Sequence, residues 1–406
     1  MDLPSRPIPF ATFMEAALYG PEGYYRRTDL PIGETGDYVT GSSLSPLFGR
    51  ATARLLSRLD SALGRPADFF EAAYGTGAHL ASVVAGSEPG RRFLAWDRIE
   101  RPVPAGVERV SELEAVPERT IEGLIFSYEL FDALPVHRLI GRPGGGLGEL
   151  WVGDDGSGGF TWQEGEISDS RLADLLRDPD ITLEPGQVAD LAPGWAPLYR
   201  QLARRLDRGL LVTCDYGFER ERLLDPRVRQ HGTLACYTRQ RVHRNPFVLI
   251  GEQDLTAHVD FTALRQAGEA EGLTTVALTR QALWLTACGL FEEIAEADTA
   301  IRREAMALLD GDGMGEEIRV SSRRAGWSPK RFSISPCSAR HADGCSPLRR
   351  GSGSRPRSPP QAQNSAAPEE ERQNGQTHAR EGGHRHGILG AGGRLRAERL
   401  VGHPVG

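Results

Sequence analysis

Four acids follow three short apolar runs, which is where side chains are best placed to do chemistry: Glu71 in Phe69-Phe70-Glu71-Ala72-Ala73-Tyr74-Gly75-Thr76-Gly77, Asp97 after RFLAW at 92–96, and Glu129 with Asp132 after GLIFS at 123–127. Gly75 and Gly77 allow a close backbone approach to a ligand, because no Cβ intervenes and positive φ is open to them. A helix starting after that turn offers free N–H groups to polar or anionic atoms. A nucleotide-type ligand is the expectation. A dinucleotide fingerprint would read G-x-G-x-x-G with its acid about 20 residues further on. Here the third glycine is missing and the acid Glu71 precedes the turn. Asp97 lies 20 residues past Gly77, at the end of a second strand, where an acid can bind ribose hydroxyls. Glu129 and Asp132, three residues apart, follow a fourth strand on the side where open α/β sheets bind ligands.

These positions require an α/β, doubly wound sheet. Strands are expected at 69–71, 92–96, 107–110, 123–127, 209–214 and 273–278, with a last one at 317–320 that stops short. Helices are expected around 13–18 (ended by Gly20), and at about 45–58, 78–84, 195–206, 261–271, 281–290 and 300–309, from apolar residues at helical spacing. The chain divides into an N-terminal helical extension with a covering loop (1–60), a main domain (61–320) with an insertion at about 141–193, and a tail (321–406). The insertion begins with a glycine-rich hairpin and continues as an irregular stretch. It reads as a lid or platform, or as a packed insertion without contact to the site.

Composition is that of an ordinary globular protein. No apolar run reaches the roughly 20 residues that a membrane span needs, and the first ten residues lack the pattern of a secretion signal. Cys214, Cys236, Cys288, Cys337 and Cys345 form no C-x-x-C pair, so neither zinc nor a disulfide framework is indicated, and a cytoplasmic setting fits. The net charge of −7 hides two unlike parts: 321–406 holds 15 Lys+Arg against 6 Asp+Glu, while 1–320 holds 33 against 49. An acidic body is a poor partner for nucleic acid and is compatible with a basic protein substrate. The tail is Ser/Pro/Arg/Gly-rich without periodicity, a composition that cannot offset chain entropy by burial, so it is expected to be disordered and of low complexity. Lys330 is the single lysine, and arginine-rich, GC-rich coding makes the tail either a frameshift product or a genuine basic arm.

Longer motifs carry a family resemblance. The acid-x-small-x-Gly-x-Gly run resembles the first motif of class I S-adenosylmethionine (AdoMet) methyltransferases, with Ala73 where that family has glycine. Phe13, Met14, Ala17, Leu18, Tyr19, Gly23, Tyr24 and Tyr25, then Gly33, Gly36, Asp37, Thr40, Ser45, Pro46, Phe48 and Gly49, resemble the opening of the MidA-like methyltransferases. That family includes a mitochondrial protein arginine methyltransferase that assists respiratory complex assembly. Tyr128-Glu129-Leu130-Phe131-Asp132-Ala133-Leu134-Pro135-Val136-His137 is similar to the family's Asn-Glu-x-x-Asp-Ala-x-Pro-Val-His, with Tyr128 replacing Asn. Asp215-Tyr216-Gly217, the Gly232-Thr233-Leu234 run and Asp254-Leu255-Thr256-Ala257-His258-Val259-Asp260-Phe261 also match.

The resemblance implies AdoMet as cofactor, bound by Asp37, Glu71, Gly75, Gly77 and Asp97, and a protein arginine as methyl acceptor, received by Glu129 and Asp132. His258, between two acids that would fix its tautomer or raise its basicity, is a candidate to take the released proton, or else a buried structural histidine. Two other classes stay open. One is a silent assembly or binding factor that keeps the fold, favoured by Ala73 and Tyr128; the other is a nicotinamide-binding enzyme.

Overall fold

The computed structural model describes residues 6–27, 41–239, 241–309 and 318–326. Among the described residues seven strands form the path of the eight-stranded main sheet: β1 (Asp68–Ala72), β2 (Phe93–Trp96), β3 (Val107–Val110), β4 (Ile121–Tyr128), β5 (Leu206–Phe218), β6 (Thr274–Arg280) and β7 (Ile318–Ala325); the short eighth, Val259–Asp260, pairs with the end of β5. Their order across the sheet is β6-β7-β5-β4-β1-β2-β3. The block from β3 to β5 is parallel, and β7 enters antiparallel between β5 and β6. Chain order reverses between β1 and β4, so a crevice opens beyond their carboxyl ends. Glu71 and Glu129 sit there.

Both faces of the sheet are buried, and strand alternation divides the side chains between them. Phe69, Leu124, Phe126, Leu210 and Val212 pack with α2 (Pro46–Leu63), α3 (Ala78–Ala85) and α6 (Gln281–Cys288) on one face. Phe70, Ile125 and Leu211 pack with α1 (Phe10–Tyr19), α4 (Trp195–Arg205) and α5 (Phe261–Ala270) on the other. The start of α2 follows from its sequence: Ser45 accepts the Leu47 N–H at 3.3 Å and Pro46 fills the first turn, where its missing N–H costs nothing. The helix runs to Leu63, beyond the expected end near Arg58, and closes on Gly64 at φ +76°.

Two expectations change. The N-terminal extension and the insertion are joined: Ile8–Pro9 pairs with Leu147–Asp154, which also pairs with His137–Gly141 and Phe160–Gly165. Phe10 packs on Trp162 and Phe13 on Phe160, so aromatic contacts between distant segments fix α1 in place. The expected hairpin is present, but the inserted sheet starts at His137 and includes Val188–Leu191. Second, β7 does not stop at Val320. It continues to Ala325, paired with β5 along its length and with β6, and Ser321 to Arg324 are buried. Lying between two strands gives this polar segment the backbone partners that its composition hides.

Candidate functional site

The turn after β1 is built from left-handed backbone: Ala73 at φ +62°, Gly75 at +54° and Gly77 at +77°. Ala73 pays a steric cost there that glycine escapes. Its N–H donates to the Trp96 carbonyl at 2.7 Å, tying the turn to β2. A Cβ on Gly75 would meet no atom within 4 Å, because the turn faces an open cleft. Asp97 holds the turn from the next strand. Its Oδ2 accepts from the Gly75 N–H at 2.9 Å and its Oδ1 from the Ile99 N–H at 2.8 Å. Burial raises the Asp97 carboxyl, and these two N–H groups work against the rise. A carboxylate has about four acceptor sites, so Asp97 can both brace the turn and meet a ligand hydroxyl. The bracing part was not legible in the sequence.

Glu71 is buried at the end of β1. One oxygen lies 3.0 Å from His79 Nδ1, and His79 Nε2 lies 3.2 Å from the Thr52 hydroxyl. The other oxygen, Oε2, is buried without a partner, and Glu71 lines the cleft. An unpaired buried acceptor of this kind is costly unless a donor meets it. With Glu71, the open turn and Asp97 on one cleft wall beside Tyr74 and Trp96, the residues present fit a ligand that carries an amino group, hydroxyls and an aromatic ring.

The opposite wall is acidic. Glu129 follows β4 in left-handed backbone, φ +49°, its N–H donating to the Cys214 carbonyl at 2.9 Å. The chain turns sharply there, and both Glu129 and Asp132 line the cleft. Asp215, wholly buried in β5, accepts from the Phe131 and Tyr216 N–H groups at 2.9 and 3.0 Å and so anchors the loop that carries them. Asp254 lines the cleft and accepts from the Tyr25 hydroxyl at 2.8 Å. Glu129 Oε1 and Asp132 Oδ1 are buried with no hydrogen-bond partner. Burial, then the neighbouring carboxylates, raise Glu129 and Asp132 well above the usual range. Burial lifts Asp215 to about 7 against the opposing pull of its backbone bonds. Among the described residues no His, Cys, Asp and Glu cluster could hold a metal ion.

The other expected residues fall elsewhere. Asp37 lies outside the described residues. Tyr128 sends its hydroxyl to Gln281 Oε1 on α6 at 2.7 Å, so the residue that replaces the expected Asn ties the cleft wall to the helix behind it. His258 does not line the cleft; its ring stacks on Tyr216, which does. The two flanking acids do not serve it as expected. Asp254 is bonded to Tyr25, while Asp260 caps α5 and pairs with Arg220 at 2.7 Å. Burial first, then Arg229, Arg244 and Arg319, bring the imidazole down to about 4, opposite to the expected rise in basicity. Sequence reasoning missed His79, Asp215 and Asp254 as members of the site. For the two aspartates, the Asp-Tyr-Gly and Asp-x-Thr-Ala-His motifs were the available signal; for His79 there was none beyond its place in the helix.

A profile of a family described as S-adenosyl-L-methionine-dependent methyltransferases matches residues 87–279. A crystal structure of a COG1565 superfamily member from Burkholderia thailandensis with S-adenosyl-homocysteine bound superposes with a TM-score of 0.69 at 28% identity, covering 78% of this chain and 87% of that one. The mitochondrial protein arginine methyltransferase NDUFAF7 homolog of Drosophila melanogaster is 26% identical over 317 residues, 66% of this chain and 68% of its own. The Xenopus tropicalis counterpart is 24% identical over 383 residues, 78% and 82% of the two chains. The sheet, the glycine turn and these likenesses agree: the chain is an AdoMet-dependent methyltransferase of class I fold, similar to the MidA-like proteins.

Proposed function

We propose that this methyltransferase acts on the guanidinium of a protein arginine. The observation that carries the reading is the pair of orphaned carboxylate oxygens, Glu129 Oε1 and Asp132 Oδ1, in a cleft whose two arginines, Arg98 and Arg101, are engaged by Glu15 and by the Tyr25 carbonyl instead. A planar guanidinium with five donors in a fork matches paired carboxylates in a way that an ammonium does not. The mitochondrial relatives are named protein arginine methyltransferases, which favours the same acceptor.

In this reading Glu71 would hold the amino group of AdoMet, the Gly75–Gly77 turn would pass beneath it, and Asp97 would take the ribose hydroxyls. Bound AdoMet supplies a sulfonium methyl to a nucleophile. The chain's own residues have to make that nucleophile. A guanidinium stays protonated in water and its lone pairs are delocalised. Glu129 and Asp132 draw the positive charge toward the nitrogens they bind, which leaves the remaining nitrogen richer in electrons. They also fix its plane, and alignment is the larger part of such catalysis. Once that nitrogen is alkylated it sheds a proton, and Glu129 or Asp132, both raised in pKa, can accept it. Asp37 is kept as a cofactor-binding candidate on the resemblance alone, and His258 as a group that supports the cleft wall through Tyr216.

The joined N-terminal segment and insertion form, in this proposal, the platform for the protein substrate. The setting is a reducing one, the cytoplasm, consistent with Cys214, Cys236 and Cys288 being unpaired. No helix among the described residues is long and apolar enough to cross a membrane.

The test is Glu129→Gln and Asp132→Asn. Both variants should bind AdoMet as the wild type does by calorimetry and lose turnover by about a hundredfold or more, the usual scale for a lost acid–base group. Wild-type rates in both variants, or methyl-lysine as the product by mass spectrometry, would overturn the reading.

A further inference from the structure

The strongest feature outside the cleft is a group of arginines without acids. Three guanidiniums lie over the Phe218 ring, Arg222 at 4.3 Å, Arg319 at 5.1 Å and Arg229 at 5.2 Å from its centroid. Arg244 is close enough to act electrostatically on Arg229 and on His258. Arg319 has interactions of its own. For Arg222, Arg229 and Arg244 no carboxylate partner occurs among the described residues, and Arg229 Nε is buried without a hydrogen bond. Of the nearby acids among the described residues, Asp225 binds Arg227, Asp178 and Asp260 bind Arg220, and Glu219 and Glu221 form no ion pair with the cluster. Burial and then the like charges of Arg222 and Arg244 lower the Arg229 guanidinium. Like charges gathered in a chain whose first 320 residues are acidic overall repel one another and are relieved when an anion joins them.

The position of this cluster relates it to the cleft. Tyr216 lines the cleft, stacks on His258 with ring centroids 6.4 Å apart, and His258 in turn lies 5.7 Å from Phe218. One aromatic row therefore runs from the acidic wall to the arginines. From Asp215 to Phe218 is three residues along β5, about 10 Å at the rise of a strand. An extended peptide covers the same distance in about three residues.

We propose that Arg222, Arg229 and Arg244 form a docking site for an acidic side chain of the protein substrate, about three residues from the arginine held by Glu129 and Asp132. The peptide part of this proposal rests on the acceptor reading above; the carboxylate-binding part does not. A peptide with positive and negative charges at this spacing meets the acidic cleft and the basic cluster together, and charge complementarity of this kind sets register and partner choice. Duplex nucleic acid is disfavoured as the ligand, because three or four arginines neutralise few phosphates while the rest of the surface repels them.

The experiment uses the full chain and hexaglutamate as the probe. By calorimetry at low salt, hexaglutamate should bind the wild type and bind Arg222→Gln/Arg229→Gln/Arg244→Gln at least about tenfold more weakly, the loss expected from removing charge-assisted contacts. The single exposed variant Arg244→Gln should weaken it several-fold, which guards against misfolding of the triple variant. AdoMet affinity should be unchanged in both. Equal hexaglutamate affinity in wild type and Arg244→Gln, or tighter binding of duplex DNA or of anionic phosphatidylglycerol vesicles than of hexaglutamate, would overturn the proposal. A second arm compares methylation of peptides with Glu or Ala three residues from the acceptor arginine. The wild type should favour Glu and the Arg244→Gln variant should lose that preference; no preference in the wild type overturns the assigned spacing. If neither peptide is methylated, the acceptor reading fails, and the hexaglutamate arm still decides the carboxylate site.

Discussion

Glu71 Oε1 and His79 Nδ1 meet 3.0 Å apart, both side chains nearly without exposure. The bond spans the glycine turn, from the end of β1 to the second residue of α3, and Thr52 on α2 fixes the far side of the imidazole at 3.2 Å. The carboxylate therefore faces the cleft in one orientation, with Oε2 left for a ligand.

His79→Leu should weaken AdoMet binding by about tenfold or more, because Glu71 loses its fixed orientation and a charge-assisted bond worth about 1.5–3 kcal/mol disappears. Thr52→Val should have a smaller effect in the same direction. Calorimetry on both variants, with melting temperatures to exclude global unfolding, decides the matter; unchanged affinity in His79→Leu would mean that Glu71 needs no such support.

Ala73→Gly should stabilise the fold. Ala73 sits at φ +62°, where an L-residue costs about 1–2 kcal/mol and glycine returns roughly 0.4–1 kcal/mol of that through the unfolded chain. A net gain of about 0.5–1 kcal/mol, or a rise of about 2 °C in melting temperature, is expected in urea and thermal unfolding.

The buried acids set a pH dependence with two opposite signs. Asp215 rises from 3.8 to about 7 on folding, and Glu129 and Asp132 rise in the same direction. The folded chain then holds protons that the unfolded chain releases, so stability should fall as pH rises from about 4 to about 7. A guanidinium needs the ionised carboxylates, so kcat/KM on the acceptor should rise with pH as Glu129 and Asp132 lose their protons. Urea unfolding at pH 5 and pH 7.5 and a pH–rate profile measure the two; Asp215→Asn should flatten the stability slope.

The end of the folded sequence can be located by truncation. Cutting after Gly326 should leave the melting temperature unchanged, whereas cutting after Ser322 should lower it by several degrees. The shorter chain loses Arg323 to Ala325, which pair with Leu211, Leu210 and Gly209 of β5, and it loses the bond from Arg323 Nη1 to Thr275 Oγ1 at 2.6 Å.

Local signals in the sequence located most of the parallel core. Buried strands such as β1 and β4 are continuous apolar runs, and their periodicity and length depend on few neighbours. The acid at the end of β1, the two glycines and the Glu129–Asp132 pair were therefore visible as candidates for one crevice, and the cofactor class followed from motif resemblance. Polar segments were harder to read. Residues 321–325 look like tail because Ser-Ser-Arg-Arg has no apolar pattern, yet they form strand because β5 and β6 flank them with free backbone groups.

What the sequence by itself determined was the place of the parallel strands along the chain, the acid–turn–helix unit and the identity of four acids that face the cleft. Tertiary structure alone decided which of them stand alone and which are already bonded. Asp254 went to Tyr25 and Asp260 to Arg220, each across more than 30 residues of sequence, while Glu129 and Asp132 kept unpaired oxygens. It also buried His258 and brought Arg229 and Arg244 near it, which lowers the imidazole where a rise was expected. Hydrogen bonding and charge depend on distances between segments far apart in the chain, and those distances exist only once the sheet has closed.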